Sequence, residues 1–178
     1  MKLIVWLGNP GDQYKNTRHN AWFIVLEEIL KSVFSLTLKY DSKLQAEVWE
    51  TTFEWEKIIF LKPMNFMNRS GVAISYVANF YKIQPENILV IHDEIDYPAG
   101  IIKFKLWWSS AWHNWLKSII EKLWTNNFWR IRIWVDRPEN KEQVVDYVLG
   151  KLSKQDKQKI DDKIDEIVGY IKNFLESK

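Results

Sequence analysis

Short apolar runs alternate along the chain with segments whose apolar positions recur every three to four residues. A continuous apolar run predicts a buried strand, and helical spacing predicts a helix with one apolar face. The pattern predicts strands at 2–7, 45–52, 56–61, 88–92, 101–106 and 131–135. It predicts helices at about 20–33, 70–81, 113–123 and 141–174.

This alternation predicts an α/β sandwich in which helices flank a mixed, largely parallel central sheet. No linker, repeat or low-complexity stretch interrupts the 178 residues, a length typical of one domain. We therefore expect a single domain over residues 1–178. In such folds the functional site lies at the carboxyl ends of the strands. Asn9, Asp93 and the loop before His113 fall at those ends.

The rarer residue types narrow the possible chemistry. The chain has no cysteine and three histidines, at positions 19, 92 and 113, which excludes disulfides and leaves few ligands for a zinc centre. We expect a mechanism without metal or cofactor. No apolar run approaches the ~20 residues that a membrane span needs, and the first residues read as a strand rather than a signal peptide. The expected protein is a soluble, cytoplasmic monomer.

Positive charge is concentrated in one part of the chain. The formal net charge is +2, but residues 103–137 contain 7 Lys or Arg against 2 Asp or Glu. A basic stretch of this kind suits a polyanionic substrate. A solvated strand and helix surface accounts for the same charges, and composition alone leaves both interpretations open.

Five ordered motifs carry more specific information. The chain reads L-G-N-P-G at 7–11, T-R-H-N at 17–20, M-N-R-S-G at 67–71, H-D-E-I-D at 92–96 and H-N at 113–114. In this order and at this spacing the motifs resemble those of the bacterial peptidyl-tRNA hydrolase family, nearly from end to end. The resemblance implies an enzyme that hydrolyses the ester of peptidyl-tRNA and recycles tRNA in translation.

The resemblance implies a catalytic role for five of these residues. His19 matches the general base, and Asp93 could accept a hydrogen bond from its second ring nitrogen. Asn9, Asn68 and Asn114 match positions that hold the substrate and the attacking water, a task that suits amides because they both donate and accept. Turn formation at Asn9 and helix capping at the other two asparagines are compatible alternatives.

Substrate contacts are implied for a second group of residues. Tyr14, Phe66 and Met67 match family positions that line the cleft, where Asn68 and Asn114 also contact the substrate. Core packing is the alternative for Tyr14 and Met67. Of the remaining histidines, His92 ends an apolar strand and is expected to be buried and hydrogen-bonded.

The resemblance also implies a basic clamp for the 5′-phosphate of tRNA. Lys103 and Lys105 lie on one predicted strand, and Arg130 and Arg132 lie on or next to another. Residues two apart on a strand share a face, so each pair can present its charges together. Phosphate contacts of this kind position the substrate and weaken as salt rises.

Tryptophan is the main departure from the family pattern. Glycine stands in that pattern at nine of the 11 tryptophan positions, namely Trp6, Trp22, Trp55, Trp107, Trp108, Trp112, Trp115, Trp124 and Trp134. Glycine serves where φ is positive or backbones approach closely, so tryptophan is a poor substitute. The chain has only 6 glycines, about half the roughly 7% that is typical.

A reassigned codon explains this systematic exchange. We expect that the source organism reads one reassigned codon as glycine, and that this codon is written here as tryptophan. UGA is the natural candidate. A deliberate series of substitutions and a tryptophan-rich variant are the alternatives. Two further functions are also open: a non-catalytic RNA-binding relative of the same fold, and a related hydrolase acting on peptides, which the basic segment disfavours.

Overall fold

A seven-stranded mixed sheet is the centre of the computed structural model, which describes residues 1–20, 27, 30–33, 35, 37–65, 69–107, 114–138 and 144–177. The strands are β1 (Lys2–Trp6), β2 (Lys39–Asp41), β3 (Ala46–Phe53), β4 (Glu56–Pro63), β5 (Ile88–Glu94), β6 (Ile102–Leu106) and β7 (Trp129–Trp134). They lie in the order β2-β3-β4-β1-β5-β7-β6. Strands β4, β1, β5 and β7 pair in parallel, and the outer pairings are antiparallel. The predicted α/β class and mixed sheet are confirmed.

Five helices flank the sheet within the described ranges. They are α1 (Ser70–Tyr81), α2 (Asn114–Leu123), α3 (Val144–Leu149), α4 (Lys154–Asp161) and α5 (Ile164–Glu176). The predicted helix at 70–81 is confirmed at both ends. The helical stretch predicted at 141–174 is instead three helices, because the chain leaves the helical conformation after α3 and Ser153 caps a new helix. The helix predicted at 20–33 lies largely outside the described residues, and the sequence pattern missed strand β2.

Two apolar layers enclose the sheet. Helices α1 and α2 pack on one face against Leu3, Val5 and Val90. Helices α4 and α5 pack on the other face against Ile4, Ile91 and the apolar residues beside them. Every residue of β1 and β5 is buried, as expected for parallel strands covered on both faces. The carboxyl ends of these central strands are therefore rigidly placed.

Three tryptophans occupy left-handed backbone conformations. The φ angles are 71° at Trp55, 62° at Trp107 and 58° at Trp124. Trp55 and its neighbour Glu54 (φ 45°) form the two-residue turn between β3 and β4, a turn that favours glycine because both central residues have positive φ. Trp124 directly follows α2, where helices commonly end with a left-handed glycine.

Across the described parts of the chain, no helix combines the length and the apolar character that crossing a membrane requires.

Candidate active site

A buried histidine and aspartate form the centre of the candidate site. Asp93 lies near the carboxyl end of β5, and its Oδ2 accepts a hydrogen bond from Nδ1 of His19 at 2.5 Å. The two residues are 5% and 1% exposed. This bond fixes the tautomer of His19 with its proton on Nδ1, which leaves Nε2 as the atom able to accept a proton.

Asn20 ties the two loops of the site together. Its Oδ1 accepts a hydrogen bond from the backbone N–H of Asn9 at 2.9 Å, and its Nδ2 donates to the Asn9 carbonyl at 2.6 Å. This reciprocal pair holds the loop after β1 against the segment that carries His19. Asn20 belongs to the T-R-H-N motif, but this role was not predicted from the sequence.

Asn114 and Trp115 begin helix α2 beside this centre. Asn114 is exposed, and the indole of Trp115 lies against the imidazole of His19 with ring centroids 4.9 Å apart. The structure therefore brings together His19 and Asp93 directly, Asn9 through Asn20, and the start of α2 through Trp115.

Tyr14 is half-buried, and its carbonyl accepts two hydrogen bonds from Thr17.

A second set of buried charges lies next to Asp93 along the strand. His92 is fully buried and donates from Nδ1 to the carbonyl of Asp93 at 2.8 Å, which confirms the prediction of a buried, hydrogen-bonded side chain. Glu94 accepts hydrogen bonds from Arg132 at 3.0 Å and 2.9 Å. Burial, together with the charge of Arg132, lowers the pKa of Arg130 to about 10.

The four basic residues of the predicted clamp share one face of the sheet. Strands β6 and β7 place Lys103 opposite Arg132 and Lys105 opposite Arg130. The two lysines are exposed, but the two arginines are 1% and 6% exposed. Trp134 lies beside this pair, with Lys103 Nζ and Arg132 Cζ at 5.5 Å and 4.7 Å from the centroid of its ring.

The family of the chain follows from comparison with known proteins. The family model for peptidyl-tRNA hydrolase matches residues 3–178. The chain belongs to the peptidyl-tRNA hydrolase family. It is 43% identical over 178 residues to peptidyl-tRNA hydrolase of Neisseria meningitidis serogroup C, a match that covers 100% of this chain and 92% of the relative.

Two further relatives of the family agree. The peptidyl-tRNA hydrolase of Dichelobacter nodosus is 48% identical over 149 residues, which covers 84% of this chain and 78% of that protein. A crystal structure of peptidyl-tRNA hydrolase from Acinetobacter baumannii superposes with a TM-score of 0.86 at 34% identity, and the match covers 100% and 96% of the two chains. Both matches thus extend over most of this chain and over most of each relative.

Four of the predicted residues fall in segments that the structure does not describe. Phe66, Met67, Asn68 and His113 lie outside the described residues, so their predicted roles stay predictions. Within the described ranges, no group of three His, Asp or Glu side chains is arranged so that it could hold a metal ion.

Proposed function

We propose that this protein hydrolyses the ester that joins a peptide to the terminal ribose of tRNA, and so returns tRNA to translation. The hydrogen-bonded pair of His19 and Asp93 at the carboxyl end of β5 carries the proposal. Family membership along residues 3–178 supports it. We also propose that the protein acts as a cytoplasmic monomer.

The proposed reaction is attack by water on the ester carbonyl. Nε2 of His19 takes a proton from the water as its oxygen bonds to the carbonyl carbon, and Asp93 stabilises the imidazolium that forms. The tetrahedral oxyanion then collapses and the bond to the ribose oxygen breaks. That oxygen takes the proton from His19 and leaves as the hydroxyl of tRNA, while the peptide leaves with a free carboxyl group.

Amide and cleft side chains are proposed to hold the substrate during this step. Asn9, Asn68 and Asn114 would donate to the reacting carbonyl and orient the water, since amides can do both without changing charge. Tyr14, Phe66 and Met67 would line the cleft for the peptide, as the family pattern implies.

The tRNA backbone is proposed to lie across the basic face of β6 and β7. Lys103 and Lys105 are exposed there and can reach a phosphate directly. Arg130 and Arg132 lie beneath them, and the ion pair with Glu94 already engages Arg132. Under this proposal the two lysines make the phosphate contacts, and the arginines raise the positive potential below them.

We further propose that the nine tryptophans at family glycine positions are glycines in the native protein, encoded by a reassigned codon, with UGA as the natural candidate. Three of the six described positions have positive φ, at a cost of about 1–2 kcal/mol each for a residue with a side chain. Trp6 and Trp134 are fully buried, and their indole N–H groups have no acceptor among the described residues. Burying such a donor costs about 1–3 kcal/mol.

Glycine at these positions would also open the site. Trp115 lies against the imidazole of His19, and Trp134 lies against the side chains of Lys103 and Arg132. Peptide mass spectrometry of the protein from its native source tests the codon proposal: tryptophan in the peptide that contains position 6 would refute it. A naturally tryptophan-rich variant would then take its place.

Release of tRNA from an N-blocked aminoacyl-tRNA tests the enzymatic proposal. The assay compares the chain as written, the chain with glycine at the nine positions, and the glycine form carrying His19→Ala. We expect hydrolysis by the glycine form and none above background by the His19→Ala form. A glycine form that folds and binds tRNA but leaves the ester intact would favour a non-catalytic RNA-binding protein instead.

A further inference from the structure

The segment after helix α3 lies alongside the residues that immediately precede His19. The backbone N–H of Arg18 donates to the carbonyl of Gly150 at 2.9 Å. Thr17 and Lys151 form an antiparallel β-bridge directly beside this hydrogen bond. Two parts of the chain that are distant in sequence therefore meet at the position next to the proposed general base.

The side chain of Arg18 strengthens the same junction. Its guanidinium carbon lies 4.1 Å from the ring centroid of Tyr147, and Nη1 donates to the Tyr147 carbonyl at 3.4 Å. A Cβ atom at Gly150 would lie 3.1 Å from that nitrogen, so the absence of a side chain at Gly150 leaves room for the guanidinium. A planar cation on an aromatic face is a directional contact that lysine reproduces poorly.

The side chains of Arg18 and His19 contact different elements of the fold. Arg18 is directed at Tyr147 on α3, whereas His19 is directed at Asp93 on β5. Holding the Arg18 side chain and backbone fixes the peptide from which the imidazole of His19 extends. The hydrogen bonds of Asn20 to Asn9 fix the next residue along.

We propose that Arg18 and Tyr147 are positioning residues that hold the imidazole of His19 in register with Asp93. The inference rests on the proposed function, in which His19 is the general base. Neither residue needs to touch the substrate. Rates of proton transfer and attack depend steeply on placement, and a shift of about 1 Å can cost on the order of 10²-fold, so a looser junction lowers turnover before it lowers binding.

Replacing Tyr147 tests this role in the full-length protein, in whichever form hydrolyses the ester, tryptophan or glycine. We expect Tyr147→Ala to lower kcat roughly tenfold while KM changes less than about twofold, because placement is lost and binding is kept. Tyr147→Phe keeps the ring under the guanidinium and should restore kcat. The matched control is Tyr40→Ala, which removes an exposed ring from the edge strand β2.

Arg18→Lys provides a second variant in case Tyr147→Ala folds poorly. Lysine keeps the charge but loses the planar contact with Tyr147, and we expect the same fall in kcat at unchanged KM. The proton resonance of His19 Nδ1, shifted downfield by the hydrogen bond to Asp93, gives a readout independent of activity. It should broaden or move in Tyr147→Ala and Arg18→Lys, and stay in place in Tyr147→Phe and Tyr40→Ala.

The outcomes separate the two proposals. If kcat per folded molecule and the His19 resonance are unchanged in Tyr147→Ala and Arg18→Lys, the junction is only structural and the positioning role is refuted. If His19→Ala itself retains hydrolysis, the general base is misassigned and the proposed mechanism fails first. A loss in His19→Ala combined with full activity in the Tyr147 and Arg18 variants refutes the positioning role alone.

Discussion

The indole of Trp115 lies against the imidazole of His19 with ring centroids 4.9 Å apart and planes inclined by 58°. His19 is 5% exposed. A general base must approach the water it activates within hydrogen-bonding distance. The chain as written therefore packs its proposed base against one of the tryptophans that we propose to be glycine in the native protein.

Removing this one side chain should expose the base. We expect Trp115→Gly, in the otherwise unchanged chain, to raise ester hydrolysis by roughly 10²-fold, the lower end of what a general base contributes. The rate of tRNA release from an N-blocked aminoacyl-tRNA measures it. Trp129→Gly is the control, since Trp129 stacks on Phe104 at 4.6 Å instead of on His19. Equal rates in the two variants would contradict the covering role of Trp115.

Asp93 is predicted to act through His19. Asp93→Asn keeps the size of the side chain but removes the charge that stabilises the imidazolium, and we expect kcat to fall by about 10²–10⁴-fold with little change in KM. Steady-state kinetics on the hydrolysing form measures both constants. Asp41→Asn, on the edge strand β2, serves as the control. A KM effect without a kcat effect would assign Asp93 to binding.

Two exposed tryptophans offer a clean test of backbone strain. Trp55 and Trp124 are 99% and 92% exposed and have positive φ, so little packing is lost when glycine replaces them. Glycine relieves about 1–2 kcal/mol of strain at each site, and its greater freedom in the unfolded chain offsets up to about 1 kcal/mol of this gain. We therefore expect the free energy of unfolding to rise by about 0.5–1 kcal/mol at each site. Urea denaturation measures it. The packed Trp129 should behave oppositely, with Trp129→Gly costing about 3 kcal/mol.

The basic face is predicted to contact phosphate through its lysines. Lys105→Glu should weaken tRNA binding. It should also reduce the slope of log Kd against log salt by about one, which corresponds to one phosphate contact. Filter binding or fluorescence titration over a salt series checks both. Lys39→Glu reverses an exposed charge on the far strand β2, and its binding should match the unaltered protein. An unchanged slope in Lys105→Glu would remove this face from the proposal.

The buried carboxylate of Glu94 should matter for stability. Glu94→Gln removes the carboxylate that pairs with the buried guanidinium of Arg132, and we expect the free energy of unfolding to fall by about 3–5 kcal/mol. Glu50→Gln is the exposed comparison: Glu50 accepts from Tyr81, and this hydrogen bond raises the pKa of Tyr81 to about 12. Exposed ion pairs contribute about 0–1 kcal/mol to the free energy of unfolding, so the loss in Glu50→Gln should be small. Thermal denaturation should therefore separate the two variants clearly.

Elements with a strong apolar pattern were predictable from the sequence. The buried strands β1 and β5 and the helix at 70–81 follow from local periodicity, which needs no knowledge of distant residues. Strand β2 was missed because its three residues are mostly exposed and carry no apolar alternation. The breaks between α3, α4 and α5 were missed because an apolar stripe runs across the interruption between α4 and α5, and because the local capping signal at Ser153 was not used.

The site divides in the same way. Its residue types were readable from motifs, but the burial of Arg130 and Arg132 depends on the neighbours that strand pairing brings to them. The link from Asn20 to Asn9 joins two loops, and the contact of Arg18 with Tyr147 joins residues 129 apart in sequence. Long-range contacts of this kind leave no local pattern.

The two tryptophans that are not among the nine proposed glycines pack on a single side of the sheet. Trp49 lies against Phe60 and Trp129 against Phe104, both in the apolar layer under α4 and α5. If the other nine are glycines, the native protein has indole reporters on that side and none in the layer under α1 and α2. Its tryptophan fluorescence would then follow the opening of one half of the molecule, and an unfolding intermediate confined to the other half would leave that emission unchanged.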